Sequence, residues 1–208
     1  MRQPRGSGDA GQAFPIYITV VAGLLFLAFA YLAVGQAAAN RNGAQTAADA
    51  AALAAAQDTR DQLAGAWAAH VLDPTRWQAI FDGFAEGLTP SCWRAYELAA
   101  QNDAGVESCD PDGPLGYTVA VRTNKAVGNS VVPGTESVSS RATASAVIEP
   151  LCTFDLPGVG EGEGEGEGEA EAEVLPQLTC EDRDWPLDPD DLSDLPEPQD
   201  LFDVHLAD

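Results

Sequence analysis

Groups that do chemistry are scarce in this chain: it has two histidines, His70 and His205, one lysine, Lys125, one methionine and four cysteines in 208 residues. The cysteines include no C-x-x-C pair, and both histidines lie far from them in sequence, so the spacing speaks against a structural zinc site. A glycine-rich phosphate loop is missing, and no nucleophile can be matched with an acid–base partner, so no catalytic residue, cofactor-binding residue or metal ligand can be nominated. Positive charge is thin as well. After Pro150 there are 19 acidic residues against one base, Arg183, a net −18 out of −23 for the whole chain. Such a tail repels nucleic acid and anionic lipid, which removes both as its partners.

What the chain has in quantity is apolar sequence at one end. Residues 14–35, FPIYITVVAGLLFLAFAYLAVG, contain no charge and are apolar on every face, long enough as a helix to cross a hydrocarbon core of about 30 Å. Arg2 and Arg5 precede this run and Arg41 alone follows closely, which places the N-terminus in the cytoplasm and the C-terminus outside, as a single-pass cell-membrane protein. Ala37-Ala38-Ala39 before Asn40 offers a signal-peptidase-like site. The apolar run exceeds the roughly 7 to 15 residues of a secretory signal, which favours an uncleaved anchor over a secreted chain beginning at Asn40.

Alanine density from Ala37 to Leu72 favours helix, with Asn42-Gly43 as the one candidate interruption; if it only kinks, residues 14–72 form a single helix. Leu63, Trp67 and Val71 give its outer half an apolar stripe. Asp73-Pro74 reads as the start of a second helix with Trp77, Ile80, Phe81, Phe84 and Leu88 on one face, ending at Gly87 or Thr89-Pro90. A short third helix follows Ser91 and carries Trp93 and Tyr96, and these helical aromatics are expected to fill a core. Alternation at Tyr117, Val119 and Val121 and again over residues 137–148 predicts an antiparallel strand pair, turning in the Asn129–Gly134 region.

Beyond it, GVGEGEGEGEGEAEAEV cannot bury apolar area, and the Pro- and Asp-rich remainder resembles a solvated tail, so residues 153–208 are expected to be disordered. Asp188, Asp190 and Asp191 lack the glycine and glutamate of a calcium loop, so only weak, nonspecific cation binding is expected of the tail. The four cysteines, Cys92, Cys109, Cys152 and Cys180, all follow the apolar run and would meet oxidising conditions outside the cell. Three pairings exist, and loop length favours the sequential one. The expected fold class is α+β: a cytoplasmic stub (1–13), a transmembrane helix (14–35) continuing into the Ala-rich helix, an extracytoplasmic domain (36–152) and the tail.

GQAFPIYITVVAGLLFLAFAYLAVGQAAANRNGAQTAADAAALAAAQ resembles the N-terminal module of TadE/TadG-like proteins of the tight-adherence (Tad, or Flp) pilus-assembly system, with Gln45, Ala47, Ala48, Asp49, Ala50, Ala51, Leu53 and Ala54 to Ala56 matching its post-membrane element. The resemblance implies a non-enzymatic, minor pilin-like component that works with other pilin-like or secretion-apparatus membrane proteins. Gln45, Ala48, Asp49 and Leu53 are its candidate helix-packing residues. Prepilin processing wants a glutamate five residues after the cleaved glycine, and from Gly11 that position is Ile16, so no such cleavage is expected. The metal-dependent adhesion domain of longer relatives does not carry over, because no Asp-x-Ser-x-Ser occurs. The alternative from another class is a stand-alone anchored or secreted surface protein whose acidic tail binds cations, cell wall or a basic partner.

Overall fold

A computed structural model describes residues 13–126, 139–156, 175–181 and 183–207. One helix, α1 (Ala13–Ala69), runs through 57 residues, and Asn42-Gly43 does not break it. A helical glycine costs about 1 kcal/mol against alanine. That is a small penalty where alanines flank it and packing begins at Ala44, which is fully buried.

The outer half of α1 lies across a four-stranded antiparallel sheet in the order β1-β2-β3-β7. Its strands are β1 (Ala104–Pro111), β2 (Gly116–Thr123), β3 (Arg141–Pro150) and β7 (Phe202–Leu206). Ala47, Ala48, Ala51, Ala52, Ala55 and Ala56 recur at helical spacing and are buried, joining Tyr117, Val119, Val121, Ala144, Ala146 and Ile148 in one core. Methyl-sized side chains let the helix approach the sheet closely, which is what the alanine run accomplishes here. Further along, Leu63, Trp67 and Val71 continue the stripe and are buried as their period predicts.

The second helix is much shorter than its apolar pattern predicts. A 3-10 turn (Pro74–Arg76) leads into α2 (Trp77–Phe81), which stops seven residues before Leu88. Gly83 is the cause: with φ at +83° it ends the helix, its N–H donating to the Ile80 carbonyl while Phe84 N–H reaches Ala79. This crossed pair is the Schellman closure that glycine makes without strain. A Cβ at Gly83 would also lie 2.8 Å from Pro114 Cβ, so space as well as conformation demands glycine. Trp77, Ile80 and Phe81 are buried, but Phe84 points out.

The third helix, α3 (Cys92–Gln101), buries Ala95 and Ala99, leaving Trp93 and Tyr96 more than half exposed. The expectation that these aromatics fill the core therefore fails for Phe84, Trp93 and Tyr96. Small residues face inward because α3 also packs on α1, where little room is left. Ser91 makes no capping bond with its side chain; its hydroxyl instead joins a buried set with Thr59 (2.7 Å) and, through Thr59, Tyr117 (2.9 Å), tying α1 to both neighbours.

The strand pair β2–β3 is antiparallel as predicted, and its linking turn lies outside the described residues. Among the described residues, five more strands lie outside that pair, and two of them extend its sheet. β1 joins β2, and β7 comes from the acidic tail, pairing with β3 from Ala146↔Leu206 to Pro150↔Phe202. The tail also supplies a second, three-stranded sheet: β4 (Cys152–Phe154), β5 (Leu178–Cys180) and β6 (Arg183–Trp185). A short helix, α4 (Pro198–Leu201), is closed by a capping box between Glu197 and Asp200. Disorder of the tail is thus corrected for residues 153–156, 175–181 and 183–207, where Leu178, Leu201 and Phe202 are fully buried. The Glu–Gly run falls outside the described residues.

Cys92 is bonded to Cys109 and Cys152 to Cys180, consistent with sequential pairing. The first bridge staples α3 to β1 across a separation of 17 residues, a loop whose closure constrains the unfolded chain by about 3 kcal/mol. Replacing Cys92 and Cys109 together by alanine is expected to lower stability by about that amount, read as an earlier denaturant midpoint with a steeper slope, because the unfolded chain loses its cross-link and exposes more surface.

At the start of the 3-10 turn, the Thr75 hydroxyl donates to the Asp73 carboxylate, and with Arg76 beside it this holds the carboxyl below its ordinary range, against an opposing effect of desolvation. A group whose folded pKa is depressed adds stability above its unfolded pKa and loses it as pH falls through the folded value. Thr75→Ala should therefore move the Asp73 titration upward, observable by carboxyl-resolved NMR; an unmoved titration would remove the hydroxyl as the cause.

Candidate functional site

The first half of α1 packs on no other element among the described residues. Phe14, Phe26 and Tyr31 are 71%, 71% and 83% exposed, and Leu24, Leu25, Leu27 and Phe29 lie open beside them. This is a continuous apolar sleeve, not a scatter of single surface residues, and a surface of that kind marks contact with membrane or protein. At 1.5 Å per residue, residues 14–35 extend about 33 Å, enough for the hydrocarbon thickness of a bilayer. Their mean hydropathy of 2.3 over the most apolar window meets the same requirement.

The second half of the same helix is the inner face of the folded domain, and the change happens within a few residues. Asn40 is the joint: its Nδ2 donates to the Lys125 carbonyl (3.1 Å), and the Thr123 hydroxyl donates to its Oδ1 (3.3 Å). Thr123 in turn accepts from the Ser140 N–H (3.0 Å), so the ends of β2 and β3 are clamped where the apolar run stops. Neither Asn40 nor Thr123 stood out in the sequence. They are 83 residues apart, and an Asn and a Thr in polar surroundings carry no local signal.

The four candidate packing residues separate. Ala48 is completely buried in the domain's own core, and Leu53 is half-buried against it. Gln45 and Asp49 stay at the surface, with Gln45 Nε2 donating to Asp49 Oδ1 at 2.7 Å. They line an open cleft of roughly 430 Å³ with Thr143, Ser145, Leu206 and Ala207. By helical rise Asp49 lies about 21 Å past Gly35, well clear of the apolar run. The cleft is shallow and polar, and it holds no acid–base pair.

In the tail, Asp188 accepts from the Asp190 N–H, and Asp191 accepts from the Ser193 N–H and hydroxyl. These contacts hold the Asp191 carboxyl below its usual range. The two carboxylates are thereby engaged in closing turns, and among the described residues no group of three or more His, Cys, Asp or Glu converges as a metal site would.

Comparison with curated proteins and with solved structures gives no match. A family model does match: residues 11–58 fit the one described as putative Flp pilus-assembly TadE/G-like. Residues 13–58 of that span carry the apolar sleeve, the Asn40 joint and the first part of the alanine face, all on one helix. The N-terminal segment of this chain, just under a quarter of its length, thus matches the TadE/G-like model of the Flp pilus-assembly type.

Proposed function

We propose that this chain is a membrane-anchored, non-catalytic structural or assembly component of a Tad-type pilus or secretion apparatus, its N-terminus cytoplasmic and its domain outside. The observation that carries the reading is the division of labour along α1. The family-matched segment begins as an unpartnered apolar helix and ends as the scaffold of a folded domain. Because Ala48 and its neighbours are occupied by the sheet, lateral contacts with pilin-like partners fall on residues 14–35, where apolar side chains and Gly23 are open. Packing between helices in lipid rests on close van der Waals fit, which such a surface can supply.

The test is photo-crosslinking in the native host from Leu24 and Phe29, followed by gentle detergent purification. Adducts with other pilin-like membrane proteins or a secretion platform are expected from these positions and not from Ala48. Recovery of the chain without adducts, or from the medium beginning at Asn40, would discard the assembly role in favour of a stand-alone surface protein.

A further inference from the structure

Charge is distributed unevenly along α1. β2 runs antiparallel to the helix, since Tyr117 bonds to Thr59 at one end and Thr123 to Asn40 at the other. Its final residues, with the start of β3, therefore form the foot of the domain beside the apolar sleeve. Four of the chain's ten basic residues gather at that foot: Arg41, Arg122, Lys125 and Arg141. Arg122 and Arg141 are cross-strand partners, and both reach Glu107, Arg141 Nε at 3.0 Å. Glu107 is the extra residue of a bulge between Val106 and Ser108, which leaves it without a cross-strand partner and free to sit between them. Lys125 pairs with Asp103 at 2.8 Å, both well exposed. The described foot thus holds four bases against two acids, and linking residues 127–138 add one more acid, Glu136. In a chain of net charge −23 this is a local surplus of the opposite sign.

The level of this surplus follows from helix geometry. Asn40, which touches the foot, is five residues beyond Gly35, or about 7.5 Å by helical rise. The polar layer on each side of a hydrocarbon core is about 5 to 7 Å deep. The described tail residues up to Phe202 fold toward the opposite pole, where Phe202 meets Phe81 and Trp77 meets Trp67, and β7 runs back from there to Ala207 beside Gln45 and Asp49. Trp67 is about 48 Å along the helix from Gly35, several screening lengths away from any charge at the foot.

We propose that Arg41, Arg122, Lys125 and Arg141 seat the foot of the domain on anionic phospholipid headgroups, with the acidic pole held away from the same surface. The proposal rests on the anchor reading above. Attraction by the foot and repulsion of the far pole act together to keep the domain upright over the bilayer, presenting its distal end outward.

The experiment uses the full chain in nanodiscs of phosphatidylcholine alone or with added phosphatidylglycerol, and follows amide hydrogen exchange over residues 119–126 and 139–143. Exchange is expected to slow on the order of tenfold with phosphatidylglycerol, as two engaged bases would give. High salt, or the variant carrying Arg41→Gln, Lys125→Gln and Arg141→Gln, should return it to the phosphatidylcholine rate. Equal exchange in both lipids, or protection that survives in the triple variant, overturns the proposal. So does the same protection produced by inorganic phosphate over phosphatidylcholine, which would assign the site to free anion. Co-flotation with phosphatidylcholine vesicles tests the anchor separately: a chain that stays unbound there overturns the anchor itself, whereas one that floats but shows no lipid dependence overturns only the headgroup contact.

Discussion

Deleting residues 198 to 208 is expected to unfold the domain, although the sequence of this segment looks dispensable. The deletion removes α4 and β7, and with them Leu201 and Phe202, both fully buried. Phe202 sits 5.2 Å from the Phe81 ring, and the Leu201 carbonyl accepts from the Leu151 N–H. Truncating a buried Phe costs about 3 to 5 kcal/mol and a buried Leu about 2 to 5 kcal/mol. Together they match the whole stability of a typical domain, about 5 to 15 kcal/mol. Loss of β7 also strips β3 of five paired residues and leaves its edge open to other chains. In detergent, the truncated chain should show no cooperative thermal transition by near-UV circular dichroism, and it should aggregate. A transition at the wild-type temperature would mean that β7 is an ornament of the fold.

The double substitution Leu201→Ala and Phe202→Ala, which keeps every backbone pairing of β7, separates the two contributions. Partial destabilisation is expected from it and complete unfolding from the deletion.

Trp77→Ala should be the most damaging single substitution, lowering stability by about 4 kcal/mol. Trp77 is fully buried, 5.5 Å from the Trp67 ring and edge-on to Phe154 at 5.2 Å, and its indole N–H donates to the His70 carbonyl at 3.1 Å. It joins α1, α2 and the second sheet in one cluster, so the cavity left behind has walls on three elements and cannot collapse. Trp93→Ala is the control: its side chain is exposed beside Arg94, and such surface changes stay within about 0.5 kcal/mol. Trp67 makes an informative comparison, because its buried indole N–H has no acceptor among the described residues. Trp67→Phe removes an unsatisfied donor along with volume, whereas Trp77→Phe removes a hydrogen bond, so the second should cost more. Equal midpoints in chemical denaturation would contradict this ordering.

Candidate-site features were legible where they were local. The apolar sleeve, the alanine face and the stripe at Leu63, Trp67 and Val71 each declare themselves through composition or a 3.6-residue period, and α1 displays all three, with Val71 in the turn just past its end. The strands β2 and β3 were visible by alternation. The Asn40 joint and the basic foot were not, because they are assembled from residues about 80 to 100 positions apart. Ala48 shows the limit most plainly. Its spacing marks a packing face, but the same face serves another helix or the chain's own sheet, and burial alone distinguishes them.

By itself the sequence determined an apolar helix and an alanine-rich helix after it, a strand pair, and an acidic charge concentrated after Pro150, leaving open whether Asn42-Gly43 parts the two helices. Each follows from short-range physics: side-chain entropy, periodic burial, and the inability of charge to leave water unpaired. Only the tertiary structure decided that α2 ends at Phe81, since Gly83 must turn left-handed beneath Pro114. The tertiary structure likewise turned Trp93 and Tyr96 outward, because α1 leaves α3 room only for alanines. It also recruited the Pro- and Asp-rich tail. The alternation of Phe202, Val204 and Leu206 is too short to stand out in an acidic, Pro-rich stretch, yet the open edge of β3 offers backbone hydrogen bonds and a pocket for Phe202. A segment with too few apolar residues to fold alone folds when the rest of the molecule supplies the other half of its core.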